Sequence, residues 1–248
     1  MNQVLDTIAA RHSVRDYLST PVEQEKLQAI IEAYRLAPNS INGQQTTLMV
    51  IQDPERKAKM MQWAWGQPYI GQAPVFFVMC LDYHRIAVAG EAQGINVQPD
   101  NLDALVTGTF DGGLALQNMM IAAQSLGLST VTIGAIRGNI DEIREELHLP
   151  KHVLPLVGLV VGYANPETTT TPKPRLPESA TVFYERYDET QLVADVQAFD
   201  AEILGYNATR EGKKSTAGWV EKTAGFYSKN VNPKFVGQLK QAGFDLKE

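Results

Sequence analysis

The sequence predicts strands alternating with helices around a central sheet, and pattern alone leans towards a doubly wound parallel arrangement. Two observations carry that expectation. Apolar runs of strand length at 46–52, 74–82, 129–135 and 153–163 are separated by segments with helical spacing. Two of them, PVFFVMCLD at 74–82 and VLPLVGLVVGY at 153–163, are apolar almost throughout, which predicts cover on both faces.

Each element has its own signal. Val4, Leu5 and Ile8 mark a short helix over 2–10. Thr20-Pro21-Val22-Glu23 reads as a helix start, with Thr20 as cap and Glu23 completing a capping box. Leu27, Ile30, Ile31 and Tyr34 continue that helix until it stops before Pro38. Asp53-Pro54 opens another helix, running to about Trp65. Residues 90–102 read as a loop. Residues 103–126 form a long helix, apolar almost all round and ended by Gly127, which places it centrally or at an interface. A helix at 140–148 precedes the last strand. Residues 164–182 form an extended loop rich in Thr and Pro, followed by helices near 188–206, 216–228 and 233–242.

Composition narrows the function. Of 248 residues, 44% are hydrophobic and 20% charged, which excludes a disordered tail, a fibre or a coiled coil. Lys plus Arg is 22 and Asp plus Glu 28, a net charge of −6 that argues against nucleic acid as partner. Cys80 is the one cysteine and lies in an apolar strand, so it reads as core and not as a nucleophile. No 18-residue apolar run predicts a membrane span, and MNQVLDTIAARHS does not read as a signal peptide. The expected location is the cytoplasm. His12, His84, His148 and His152 show no metal spacing, and no nucleophile elbow or P-loop occurs.

The chemistry lies in short polar segments. In an extended chain Arg11, Ser13 and Arg15 point one way, two guanidiniums and a hydroxyl suited to an oxyanion; the alternative is a solvated basic turn. Lys173 and Arg175, around Pro174, form a second such pair, or simply a charged surface loop. Ala37-Pro38-Asn39-Ser40-Ile41-Asn42-Gly43-Gln44-Gln45 crowds amides that can read a heterocycle edge, or merely make a turn. Gln67 and Tyr69 sit in another polar turn. Thr132-Ile133-Gly134-Ala135 ends a strand at a glycine that admits close backbone approach. Asp111 reads as a structural hydrogen-bonding group. Arg210, Lys213 and Lys214 form a basic knot, either a solvated loop or a recogniser of an extra phosphate.

Together RHSVR at 11–15, APNSINGQ at 37–44, GQPY at 66–69, AAQSLGLSTVTIGAIR at 122–137, HVLPLVGLVVG at 152–162 and KPRLP at 173–177 resemble the flavin-dependent nitroreductase family. The closer likeness is to its NADPH-dependent branch of flavin reductases and oxygen-insensitive nitroreductases. The resemblance implies an α+β fold with a mixed, mainly antiparallel sheet flanked by helices, in an intertwined homodimer. That expectation replaces the parallel one, because short apolar runs do not reveal strand direction. It also implies a core over 1–182 with a helical extension over 183–248. Tightly bound FMN would be held by Arg11, His12, Ser13 and Arg15, with Lys173 and Arg175 completing a phosphate cage. Many relatives read H-R-S where this chain has Arg11-His12-Ser13, so either Arg11 or His12 faces the ligand. Asn39, Ser40, Asn42 and Gln44 would reach the flavin across the dimer interface, Gln67 and Tyr69 would flank its ring, and Thr132, Ile133, Gly134 and Ala135 would give backbone contacts. Arg210, with Lys213 or Lys214, would hold the 2′-phosphate of NADPH. The implied activity is hydride transfer from NADPH through FMN to a nitroaromatic, quinone or flavin by ping-pong kinetics, with Arg15 stabilising the reduced cofactor and no essential side-chain acid or base. The competing readings are a non-enzymatic flavin- or nucleotide-binding module and a plain phosphate-ligand protein.

Overall fold

The structure, a computed structural model, describes residues 2–168, 171–209, 215–229 and 231–246. Along the chain the elements are α1 (Gln3–Ala10), α2 (Gln24–Arg35), β1 (Thr46–Ile51), α3 (Pro54–Trp63), α4 (Tyr69–Gln72), β2 (Val75–Asp82) and α5 (His84–Glu91). There follow α6 (Leu102–Ser125), β3 (Ser129–Ile133), α7 (Ile140–Glu146), β4 (Val153–Gly162), α8 (Leu192–Thr209), α9 (Trp219–Tyr227) and α10 (Phe235–Gln241). Two units result, one of residues 1–168 with 234–248 and the other of 169–233. In this division α10 belongs to the first unit. The reason is apolar: Leu239, Ala242 and Phe244 are buried in one cluster with Leu81, Ile140, Leu154 and Leu156.

In the first unit the sheet runs β1-β2-β4-β3, and every pair of neighbours is antiparallel. A parallel bridge from Ser13 to Thr130 adds the N-terminal stretch outside β3 and makes the sheet mixed. The parallel leaning of the bare pattern is thus corrected. All of β2 is buried, and the cause is helices on both faces, not strand direction. Phe76, Val78, Cys80 and Val160 pack with α3, α4 and α7 residues such as Met60, Ile70 and Ile143. Val75, Phe77, Met79 and Leu159 pack on the other face with Ile30 of α2 and Ala115, Met119 and Ala123 of α6. Burial pushes the Cys80 thiol pKa far up, as suits a core residue.

Some local signals are overruled. α2 begins at Gln24, and Glu23 caps nothing through its side chain. That carboxylate is taken by the Tyr163 hydroxyl at 2.6 Å and by Lys26 at 3.3 Å. Asp53 does cap α3, accepting from Arg56 N at 2.8 Å. The run 129–135 leaves the strand after Ile133 and coils into a 3-10 turn over Gly134–Asn139. α6 lays one side on the sheet but leaves Leu102, Val106 and Phe110 exposed by 59, 59 and 68%. These residues are four apart and share a face.

Arg144 holds the returning helix. Its guanidinium donates to the carbonyls of Pro150 (3.1 Å), Val153 (3.3 Å) and Gln241 (3.4 Å), and partial burial pushes its pKa down. Arg144→Ala is expected to lower stability by about 1–3 kcal/mol, the cost of stranding partly buried acceptors. Hydrogen exchange should quicken at His152 N–H, which bonds Ala242 O at 2.7 Å. An unchanged thermal midpoint and exchange pattern would remove that role.

The second unit centres on α8 and α9. The Phe199 and Trp219 rings meet edge to face at 5.8 Å, Asn207 donates to Ala217 O at 3.1 Å, and Asp200 accepts from Val220 N at 2.8 Å.

Candidate functional site

At the outer edge of β3, Val14 N donates to Thr130 O at 3.1 Å, and Val14 itself is buried in the core. The alternation of an extended chain then sends Arg11, Ser13 and Arg15 to the opposite side from Val14. Neither guanidinium makes a hydrogen bond or ion pair among the described residues, while Arg11 N donates to Ile8 O at 3.3 Å. The His12 ring turns back to Ala10 O, with Nδ1 at 2.9 Å. Beside Ser13 lies Thr130, whose hydroxyl is buried and has no hydrogen-bond partner among the described residues. A buried, unpaired hydroxyl costs free energy unless something outside the chain completes it. Thr132, two residues on and on the same face, is exposed.

The 64–69 turn packs nearby. Tyr69 joins the cluster containing Val14, Tyr17, Ile133 and Ala135. Its hydroxyl donates to Gln67 Oε1, while Gln67 Nε2 donates to Ala64 O at 3.0 Å. Tyr17 donates to Val14 O at 2.9 Å, and burial pushes its pKa far up. Ile133 and Ala135 bury their side chains, so only their backbone is available to a ligand. Gly134 does admit a close neighbour, but here it is the Arg137 guanidinium, 3.2 Å from where a Cβ would stand. Arg137 also donates to Leu156 O at 2.9 Å. Sequence reasoning missed Arg137 and Thr130. The latter's signal was its spacing two before Thr132 on one strand.

The amide loop lies elsewhere. Asn39 Oδ1 accepts from Gln44 N at 2.9 Å, and Ser40 N donates to both Asp111 oxygens at 3.2 and 3.1 Å. Gln45 Nε2 adds a bond to Asp111 Oδ2 at 2.7 Å. Arg85 donates to Gln44 O (2.7 Å), Thr47 Oγ1 (2.8 Å) and Asp82 Oδ2 (3.0 Å). Tyr34, Arg35, Asn39, Gln44, Arg85 and Asp111 line a cleft of about 280 Å³. This loop leads into β1, while Ser13 flanks β3, so the two groups occupy opposite edges of the sheet. Four strand spacings of roughly 4.8 Å separate those edges by about 19 Å.

Lys173 and Arg175 belong to the second unit, where Arg175 Nη1 donates to Lys173 O at 2.9 Å. Arg210, Lys213 and Lys214 lie outside the described residues.

Fold and site together define an α+β protein with a basic, hydroxyl-bearing sheet edge. The chain belongs to the nitroreductase family: the nitroreductase family model matches residues 8–163, and the model for that family's C-terminal domain matches 173–247. It is 41% identical to a Bacillus subtilis (strain 168) protein named FMN reductase (NAD(P)H), with all of both chains covered. It is 31% identical to an NADPH-flavin oxidoreductase of Vibrio harveyi over 98% of each chain. A solved structure of a hypothetical oxidoreductase from Bacillus subtilis superposes with a TM-score of 0.95 at 40% identity, covering both chains completely.

Proposed function

We propose that this chain is an FMN-dependent NAD(P)H oxidoreductase, reducing nitroaromatics, quinones or free flavins as a homodimer in the cytoplasm. The observation that carries it is the sheet edge at Ser13. Two arginines whose guanidiniums meet no partner among the described residues flank a serine beside a buried threonine hydroxyl that is likewise unsatisfied there, in a chain of net charge −6. That donor set fits a phosphate tail.

When bound, FMN would supply the hydride-transfer chemistry between NAD(P)H and an acceptor. The chain's own residues bind and orient. Arg11, Ser13 and Arg15, with His12 nearby, hold the phosphate and ribityl end, and Lys173 and Arg175 add charge to it. Arg15 also places positive charge where the ring gains electrons. Gln67 and Tyr69, joined to each other, flank the ring, and the backbone of Thr132, Ile133, Gly134 and Ala135 meets its edge. Arg210, with Lys213 or Lys214, holds the 2′-phosphate of NADPH.

Topology supports the homodimer. Asn39, Ser40, Asn42 and Gln44 stand at the sheet edge opposite Arg15, so one ligand touching both groups takes them from two copies. The exposed Leu102, Val106 and Phe110 face of α6 gives such copies an apolar surface to bury. Among the described residues no helix is long and apolar enough to cross a membrane.

Purified chain titrated with FMN should gain one yellow chromophore per subunit. Anaerobic stopped-flow should then show bleaching by NADPH, slower bleaching by NADH, and return of colour with a nitroaromatic. No absorbance gain with FMN would overturn the reading, and colour that NADPH never bleaches would leave only a binding module.

A further inference from the structure

The amide loop is held in a conformation that its own residues resist. Ile41, Asn42 and Gln44 have φ of 49, 55 and 50°, the left-handed region that costs an L-residue free energy. Ile41 is the worst suited, being β-branched, and it is 96% exposed, so no packing of its own repays the strain. Something outside the segment must fix it. Arg85 grips its end through Gln44 O and Thr47 Oγ1. Its start is gripped by Asp111, a carboxylate only 4% exposed in the middle of α6. Asp111 meets donors alone, Ser40 N on both oxygens and Gln45 Nε2 on one, and no cation among the described residues. A carboxylate buried without a countercharge is costly, so its bonds to the loop must offset that cost.

We propose that Asp111 is a positioning residue for flavin binding: it clamps the strained 39–44 loop so that Asn39, Ser40 and Asn42 reach the flavin held by a second copy of the chain. The inference rests on the dimeric FMN site proposed above. In Asp111→Asn one oxygen becomes an NH2 group facing N–H donors, which breaks the clamp at nearly constant volume.

The test measures FMN affinity by quenching of flavin fluorescence. Asp111→Asn should bind FMN about tenfold or more weakly, the scale of one lost charge-assisted hydrogen bond. Adding Ile41→Asn should recover part of that loss, because asparagine tolerates left-handed φ. Heterodimers of Arg15→Ala and Asp111→Asn subunits, co-expressed with different tags and purified through both, should bind FMN at half the wild-type stoichiometry with wild-type affinity. In that pairing one site carries both lesions and the other carries neither.

Wild-type affinity in the Asp111→Asn homodimer, or no tight site in the heterodimer, sinks the proposal while leaving the flavin reading intact. Failure of the wild-type chain to take up FMN sinks both. Should Asp111→Asn not fold, Gln45→Met removes one arm of the clamp and keeps Asp111. A weaker FMN complex supports the clamp, and an unchanged one overturns it.

Discussion

Arg15→Ala is expected to weaken FMN binding by about tenfold to a hundredfold, the equivalent of roughly 1.5–3 kcal/mol for a lost hydrogen bond to a charged group. The side chain is exposed and makes no hydrogen bond or ion pair among the described residues, so its removal strands nothing inside the fold. Thermal stability without flavin should therefore hardly change. Arg15→Lys separates charge from shape, since lysine keeps the positive charge but not the planar pair of donors. It should bind FMN between wild type and alanine. Because screening shortens the reach of exposed charge, the gap between wild type and Arg15→Ala should narrow as salt rises. Flavin titrations at low and high salt check both points, and equal affinity of Arg15→Ala and wild type would remove Arg15 from the site.

Phe76→Ala should cost about 3–5 kcal/mol of stability, the range for truncating a fully buried aromatic. Phe76 is 0% exposed and joins the core shared by β2, β4, α3 and α7. Its ring also fills the space over Gly158 on β4, where a Cβ would stand 2.4 Å from the ring edge. The substitution therefore opens a cavity between the two central strands, and the glycine opposite has no side chain to close it. Urea denaturation followed by circular dichroism reads the loss, and a change below about 1 kcal/mol would mean that the core collapses into the gap.

The strands were legible in the sequence because their apolar runs are long relative to any competing helix signal. Strand direction was not. An apolar run records cover on both faces, and β2 has that cover in an antiparallel sheet as fully as in a parallel one. Asp53-Pro54 was readable as a helix start because its partner, Arg56, is three residues away. Thr20-Pro21-Val22-Glu23 misled because Tyr163, distant in sequence, claims the Glu23 carboxylate. The basic, amide and strand-end segments of the candidate site stood out individually. Their separation to opposite sheet edges did not, nor did the pairing of Asp111 with Ser40, since contacts between remote residues leave no local period. α5 (His84–Glu91) escaped because its N-cap residue, Tyr83, makes no capping bond through its side chain and its apolar residues Ile86, Ala87, Val88 and Ala89 are consecutive instead of helically spaced.

The return of residues 234–248 to the first unit imposes an order on biosynthesis. A ribosome delivers the sheet early, yet Leu239, Ala242 and Phe244 emerge only after the whole intervening unit has been made. Until then Leu81, Ile140 and Leu154 wait with an open apolar flank, so the nascent chain depends on shielding from other sticky surfaces. A stop codon in place of Lys234 would leave that flank bare and expose the product to degradation.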